Sequence, residues 1–140
     1  MARVHSKRHV VFVSHSGQDD WIAKQIAKAI EATGAEVFLD ALEIEFGTDF
    51  EEEILASLKR ANELVVLMTP WAMQRPYVWA ELGAAWGRRL PIVVLLHGMS
   101  PAEFQSRPEV PVFIKRRNLL DLNSVESYFR ELQNRVATHE

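Results

Sequence analysis

Apolar residues in this chain gather in short continuous runs at His9–Val13, Glu36–Leu39, Leu64–Met68 and Ile92–Leu96, with a weaker fifth at Arg117–Asp121. Runs of this length that do not alternate with polar residues belong to strands covered on both faces, as in parallel sheets. Between them the apolar spacing becomes helical. Ile22, Ile26 and Ile30 recur at steps of four, with Ser16 and Asp19 placed as a capping box and Gly34 as the stop. A second helix is expected to open at Thr48 and Glu51, bury Phe50, Ile54 and Leu58, and end at Lys59 and Arg60, where cations suit the helix dipole. A third runs from about Pro76 to Trp86. Ser100, Pro101 and Glu103 open a short fourth, and Asn123 opens a last one with Val125, Phe129, Leu132 and Val136 turned inward.

Strand and helix therefore alternate, and crossovers between parallel strands are almost always right-handed. The simplest arrangement is an α/β fold with a flavodoxin-like, doubly wound, five-stranded parallel sheet in the order 2-1-3-4-5 and helices on both faces. That order reverses between strands 1 and 3. Ligands of open α/β sheets bind beyond the carboxyl ends of the strands at such a reversal, so the loops after Val13 and Met68 carry the expected site, with the loop after Leu39 on its flank.

Composition narrows the chemistry. A chain of 140 residues, 48% of them hydrophobic, suits one domain with one core. The formal net charge of -3 gives no reason to expect nucleic acid as a partner. With no cysteine, disulfides, thiolate catalysis and Cys-based metal sites are excluded, and the scattered histidines, with no carboxylate cluster to complete a set, predict no metal site. The basic start is followed by an apolar run too short for an export signal. No stretch approaches the roughly 20 apolar residues of a membrane span, so neither membrane insertion nor export is expected and the location is read as cytoplasmic.

Three segments could carry chemistry. The first loop, Ser14 to Asp20, is small and polar, and the amides of the following helix could hold a phosphate or ribose oxygen. It has one glycine and neither a dinucleotide fingerprint nor a Walker loop, and capping alone would account for Ser16 and Asp19. Ser14 and His15 are adjacent at a strand end, where side chains diverge, so they do not form a nucleophile and its base. The second loop, Asp40 to Gly47, mixes Glu43 and Glu45 with Leu42, Ile44 and Phe46, which fits a lid or contact surface or, equally, side chains folded back onto the core. In the third segment, Tyr77 and Glu81 stand one turn apart on one helix face, and no Lys or Arg lies three or four residues from Glu81. A carboxylate flanked by apolar groups at the ligand-binding end is a functional candidate, set against the plainer reading of a solvated surface glutamate. Trp79, Leu82 and Trp86 form a separate stripe read as core or interface. An acidic pair after strand 1, as a phosphorylatable receiver needs, is absent: Ser14 and His15 occupy that place.

Taken in order, Val11–Ser16 with Asp19 and Asp20, Val37–Asp40, Gly47 before Phe50, Val65–Pro70, Tyr77–Leu82 and Pro91–Val94 resemble a TIR (Toll/interleukin-1 receptor) domain of the bacterial NAD-cleaving type. The resemblance implies a tail over residues 1–8 and a single TIR domain over 9–138. It implies an NAD glycohydrolase or ADP-ribosyl cyclase acting on the nicotinamide–ribose bond in immune or antiviral signalling, with NAD as substrate and no resident cofactor. Glu81 matches the family's catalytic glutamate. The substrate would be lined by Ser14, His15, Ser16 and Gly17, by Asp40, Glu43, Glu45, Phe46 and Gly47, and by Tyr77, which stands where family members commonly carry Trp. Homo-oligomers or filaments through TIR–TIR contacts and a fused or separate sensor are the partners implied. The alternative is a non-enzymatic TIR module that signals by self-association. Such modules typically carry Pro before the glycine of the second loop, where this chain has Phe46, which favours the enzyme.

Overall fold

The computed structural model describes residues 8–39, 52, 56, 58–115 and 119–139. Five strands, β1 (Val10–Ser14), β2 (Glu36–Leu39), β3 (Glu63–Met68), β4 (Ile92–Leu96) and β5 (Leu119–Asp121), form one sheet in the order β2-β1-β3-β4-β5. Every pairing is parallel. The doubly wound arrangement expected from the apolar runs is the one observed.

Each face of the sheet carries its own core. Val11, Val13, Val65, Leu67 and Leu95 meet helix α1 (Asp20–Ala32), through Ala23, Ile26 and Ile30, and the last helix, α5 (Val125–His139), through Tyr128, Leu132 and Val136. Phe12, Leu64, Val66, Met68, Val94 and Leu96 point the other way, onto Val78, Leu82 and Ala85 of helix α2 (Pro76–Gly87) and onto Phe104 and Ile114 of the short helices α3 (Pro101–Ser106) and α4 (Val112–Lys115). Both faces of β3 are covered, which is why its sequence reads as an unbroken apolar run. Thr48 and Glu51, where the second helix is expected to open, lie outside the described residues; Glu52, Ala56, Leu58 and Lys59 are helical, and Leu58 is wholly buried in the α2-side core.

Local signals were met at several ends. Gly34 turns the chain out of α1 with φ 101°, a conformation that suits glycine, and an added Cβ would stand 3.2 Å from Val136 Cγ1. Pro76 opens α2, and Ser100 with Glu103 makes the expected reciprocal capping box of α3.

Other ends differ. Ser16 and Asp19 do not cap: neither side chain takes a helix amide, and a 3-10 turn, Gly17–Asp19, comes before α1. Asp121 rather than Asn123 opens the last helical segment, accepting the Asn123 amide at 2.8 Å ahead of a short turn, Leu122–Ser124. Strand β1 begins at Val10, one residue later than its apolar run, and β3 begins one residue earlier, at Glu63.

That residue anchors the amino-terminal edge of the sheet. Wholly buried Glu63 accepts His9 Nε2 (2.7 Å) and Arg135 Nε (3.0 Å) at Oε1, and Tyr128 Oη (2.5 Å) and Arg135 Nη2 (3.0 Å) at Oε2. Burial pushes the Glu63 carboxyl upward, but hydrogen bonds from Arg135, Tyr128 and His9 outweigh it and hold the pKa below the ordinary value. Burial raises the Tyr128 hydroxyl, and the Glu63 charge adds to that shift. The cluster ties α5 to β1 and β3.

Candidate functional site

At the opposite, carboxyl edge of β1 and β3, the chain order of the sheet reverses and the two strands diverge into separate loops. Ser14 ends β1 and pairs in register with Val66 of β3. After β3, Thr69 and Pro70 lead through a turn, Ala72–Gln74, into α2. The buried face of α2 carries Val78, Leu82 and Ala85, and Glu81 lies among them with no exposed surface. It is therefore not a solvated surface glutamate.

Burying a carboxylate is costly unless hydrogen bonds replace its water. Ser14 Oγ supplies one, donating to Glu81 Oε1 at 2.5 Å. This bond joins residues 67 apart in sequence and spans the reversal point. Tyr77, one turn earlier, is half-buried and packs against the α2-side core. Trp79 donates its indole N–H to the Met73 carbonyl at 2.9 Å, steadying the turn before the helix.

A second buried group lies in the first loop. Asp19 Oδ2 accepts Ser16 Oγ at 2.6 Å and Thr69 Oγ1 at 2.5 Å, and Thr69 Oγ1 in turn accepts the Ala72 amide at 3.1 Å. Ser16, Asp19 and Thr69 are all buried. On the surface above, Arg75 donates to Gln18 at 3.1 Å across the same two loops.

Of the residues expected at the site, the structure brings together Ser14 and Glu81, with Tyr77 beside them on α2. His15 is wholly buried but turned to other partners: Nδ1 meets the Ser16 carbonyl at 2.7 Å, and Nε2 stands 3.9 Å from Asp20 Oδ1. Asp20 is held below its ordinary pKa chiefly by its hydrogen bond with Lys24. Ser16 is spent on Asp19, and Gly17, itself exposed, opens the 3-10 turn. Asp40, Glu43, Glu45, Phe46 and Gly47 lie outside the described residues. Asp19 as a tie between loops, and Thr69 as its partner, were not foreseen. The only sequence signal was a carboxylate and a hydroxyl residue each following a strand at the reversal point. Among the described residues no group of three or more His, Cys, Asp or Glu side chains could hold a metal ion, and no helix is long and apolar enough to cross a membrane.

A family model described as "TIR domain" matches residues 11–135. The chain belongs to the TIR domain family. Its fold is that of solved TIR structures. The TIR domain of the Toll-related receptor TRR-2 from Hydra magnipapillata superposes with a TM-score of 0.65 at 23% identity, covering 91% of this chain and 97% of that one. The TIR domains of the activated Roq1 resistosome superpose at 0.58 with 17% identity, covering 93% and 84%. Among curated proteins, the 2′ cyclic ADP-D-ribose synthase BtTIR of Bacteroides thetaiotaomicron is 28% identical over 86 residues, which is 61% of this TIR chain and 30% of that protein. The chain thus aligns with less than a third of that relative's length.

Proposed function

We propose that this TIR domain cleaves the nicotinamide–ribose bond of NAD, with Glu81 as its catalytic carboxylate. The observation that carries the reading is the wholly buried Glu81, held by Ser14 at the carboxyl edge of the sheet where α/β folds bind ligands. The distant likeness to a 2′ cyclic ADP-D-ribose synthase supports the substrate class.

The chemistry fits this sparse equipment. When the C1′–N bond breaks, its electron pair goes to the pyridinium nitrogen and nicotinamide leaves as a neutral molecule, so no general acid is needed. Positive charge develops on the ribosyl ring, and a preorganised carboxylate in a water-poor setting stabilises that charge more than it stabilises the ground state. Attack on C1′ by water, with loss of a proton to solvent, gives ADP-ribose; attack by a ribose hydroxyl, which loses its proton in the same way, gives a cyclic product. The Ser14 hydroxyl fixes one carboxylate oxygen and limits its rotation. Tyr77 offers an aromatic wall one turn away. Because Glu81 has no exposed surface, the side chains over it must part to admit a nucleotide. We place the protein in immune or antiviral signalling, as an oligomer acting with a sensor.

A self-associating module without catalysis is the second reading, favoured by the exposed Trp86 stacked on Phe113 with ring centroids 4.5 Å apart. Incubating the purified protein with NAD over a range of protein concentrations, and identifying every product by mass spectrometry, separates the two. Nicotinamide with ADP-ribose or a cyclic isomer is expected; intact NAD at every concentration, including those at which the protein is assembled, supports the module.

A further inference from the structure

We infer that Asp19 is a positioning residue: a buried carboxylate that clamps the first loop to the segment carrying Glu81 and thereby holds the catalytic geometry. The inference rests on the NAD-cleaving reading for its kinetic consequence, but the clamp itself is a matter of structure.

Among the described residues, side-chain hydrogen bonds link the carboxyl end of β1 and its loop to the segment after β3. Ser14 reaches Glu81, Thr69 reaches Asp19, and Arg75 reaches Gln18. They differ in kind. The Arg75–Gln18 contact is exposed and competes with water, so it holds little. The Asp19 link is buried and charge-assisted, and both of its hydroxyl donors converge on the single oxygen Oδ2. One donor, Ser16, belongs to the turn that contains Asp19, so that bond fixes the shape of the first loop. The other, Thr69, is the first residue after β3 and comes from 50 residues away. Thr69 passes the constraint on, because its oxygen also accepts the Ala72 amide in the turn that leads to α2. The chain of contacts therefore runs from the first loop through Asp19 and Thr69 to the entry of the helix that presents Tyr77 and Glu81.

Buried hydroxyl and carboxylate groups are unfavourable unless they are hydrogen-bonded, so the linked bonds of Ser16, Asp19, Thr69 and the Ala72 amide favour one arrangement of the two loops. Without it, the loop after Ser14 would be free to shift against α2, and of the buried bonds described the Ser14–Glu81 bond would be left to tie β1 to that helix. Displacements of about 1 Å in a preorganised site are enough to cost on the order of a hundredfold in rate. The loss should fall on turnover rather than substrate affinity, since the charge being stabilised exists only during bond breaking.

Thr69→Val removes the donor while keeping the side-chain shape, and Thr69→Ser restores the hydroxyl without the methyl. The folded Val variant should lose at least about tenfold in kcat with KM changed by less than about threefold, and the Ser variant should return to within about threefold of wild-type kcat. Ser16→Ala, which removes only the donor inside the loop, serves if the Val variant does not fold, with the same kcat-selective loss expected. A folded variant lacking the hydroxyl that turns over at the wild-type rate overturns the inference. If the wild-type domain itself cleaves no NAD, the functional reading fails, and amide hydrogen exchange decides the clamp independently. Exchange within residues 15–19 should then speed up at least about tenfold in Thr69→Val with β4 unchanged, and unchanged exchange there rejects it.

Discussion

Replacing Glu63 with glutamine is expected to destabilise the domain by about 3 kcal/mol. Four N–H or O–H donors converge on its two oxygens from His9, Tyr128 and Arg135. A glutamine keeps one acceptor oxygen and turns an NH2 group toward the donors that faced the other. Roughly two charge-assisted bonds are lost, each contributing about 1.5–3 kcal/mol. Arg135 is 37% exposed and can recover hydration, which argues for the lower end of that range. At about 3 °C per kcal/mol for a domain of this size, the melting temperature should fall by about 10 °C. Urea unfolding followed by circular dichroism at neutral pH measures the difference. The sign of its pH dependence follows from the depressed pKa of Glu63: the stabilisation is fully present above the ordinary value of 4.5 and is lost as pH falls through the lower folded-state value. The gap between wild type and Glu63→Gln should therefore narrow on acidification below about pH 4.5. A gap under about 1 kcal/mol at neutral pH, or one that does not narrow in acid, would refute the reasoning.

Tyr77→Ala should lower NAD turnover strongly while Tyr77→Trp is tolerated, because the ring face is kept; equal cleavage by two folded variants would remove the aromatic wall from the account. Specific activity should rise with protein concentration, and Phe46→Asp should suppress that rise without unfolding the domain, as sedimentation run alongside the assay would show. Ser14→Ala should reduce kcat by about tenfold through a looser Glu81, with little change in KM, as steady-state kinetics would reveal.

What could be read from the sequence was set by distance along the chain. The strands were legible because burial on both faces leaves a continuous apolar run, and their order followed from the handedness of crossovers. The end of α1 at Gly34 and the box at Ser100 and Glu103 were legible because a cap involves only neighbouring residues. Glu81 stood out by its apolar neighbours, but its burial and its bond to Ser14 depend on a strand 67 residues away. Asp19 was misassigned for the same reason: its spacing from Ser16 fits a capping box, whereas its decisive partner, Thr69, lies 50 residues on. Glu63 went unnoticed at the head of an apolar run, since His9, Tyr128 and Arg135 come from 54 to 72 residues away. Neither tertiary network leaves a local pattern.

The most direct measurement of the central claim is the rate of NAD cleavage by Glu81→Gln beside wild type, with products identified by mass spectrometry and folding checked by circular dichroism. Glutamine preserves size and can still accept the Ser14 hydroxyl, while the negative charge is gone. If that charge stabilises the developing ribosyl cation, kcat should fall by on the order of a hundredfold or more with substrate affinity much less affected. A folded Glu81→Gln protein that cleaves NAD at the wild-type rate would contradict the account.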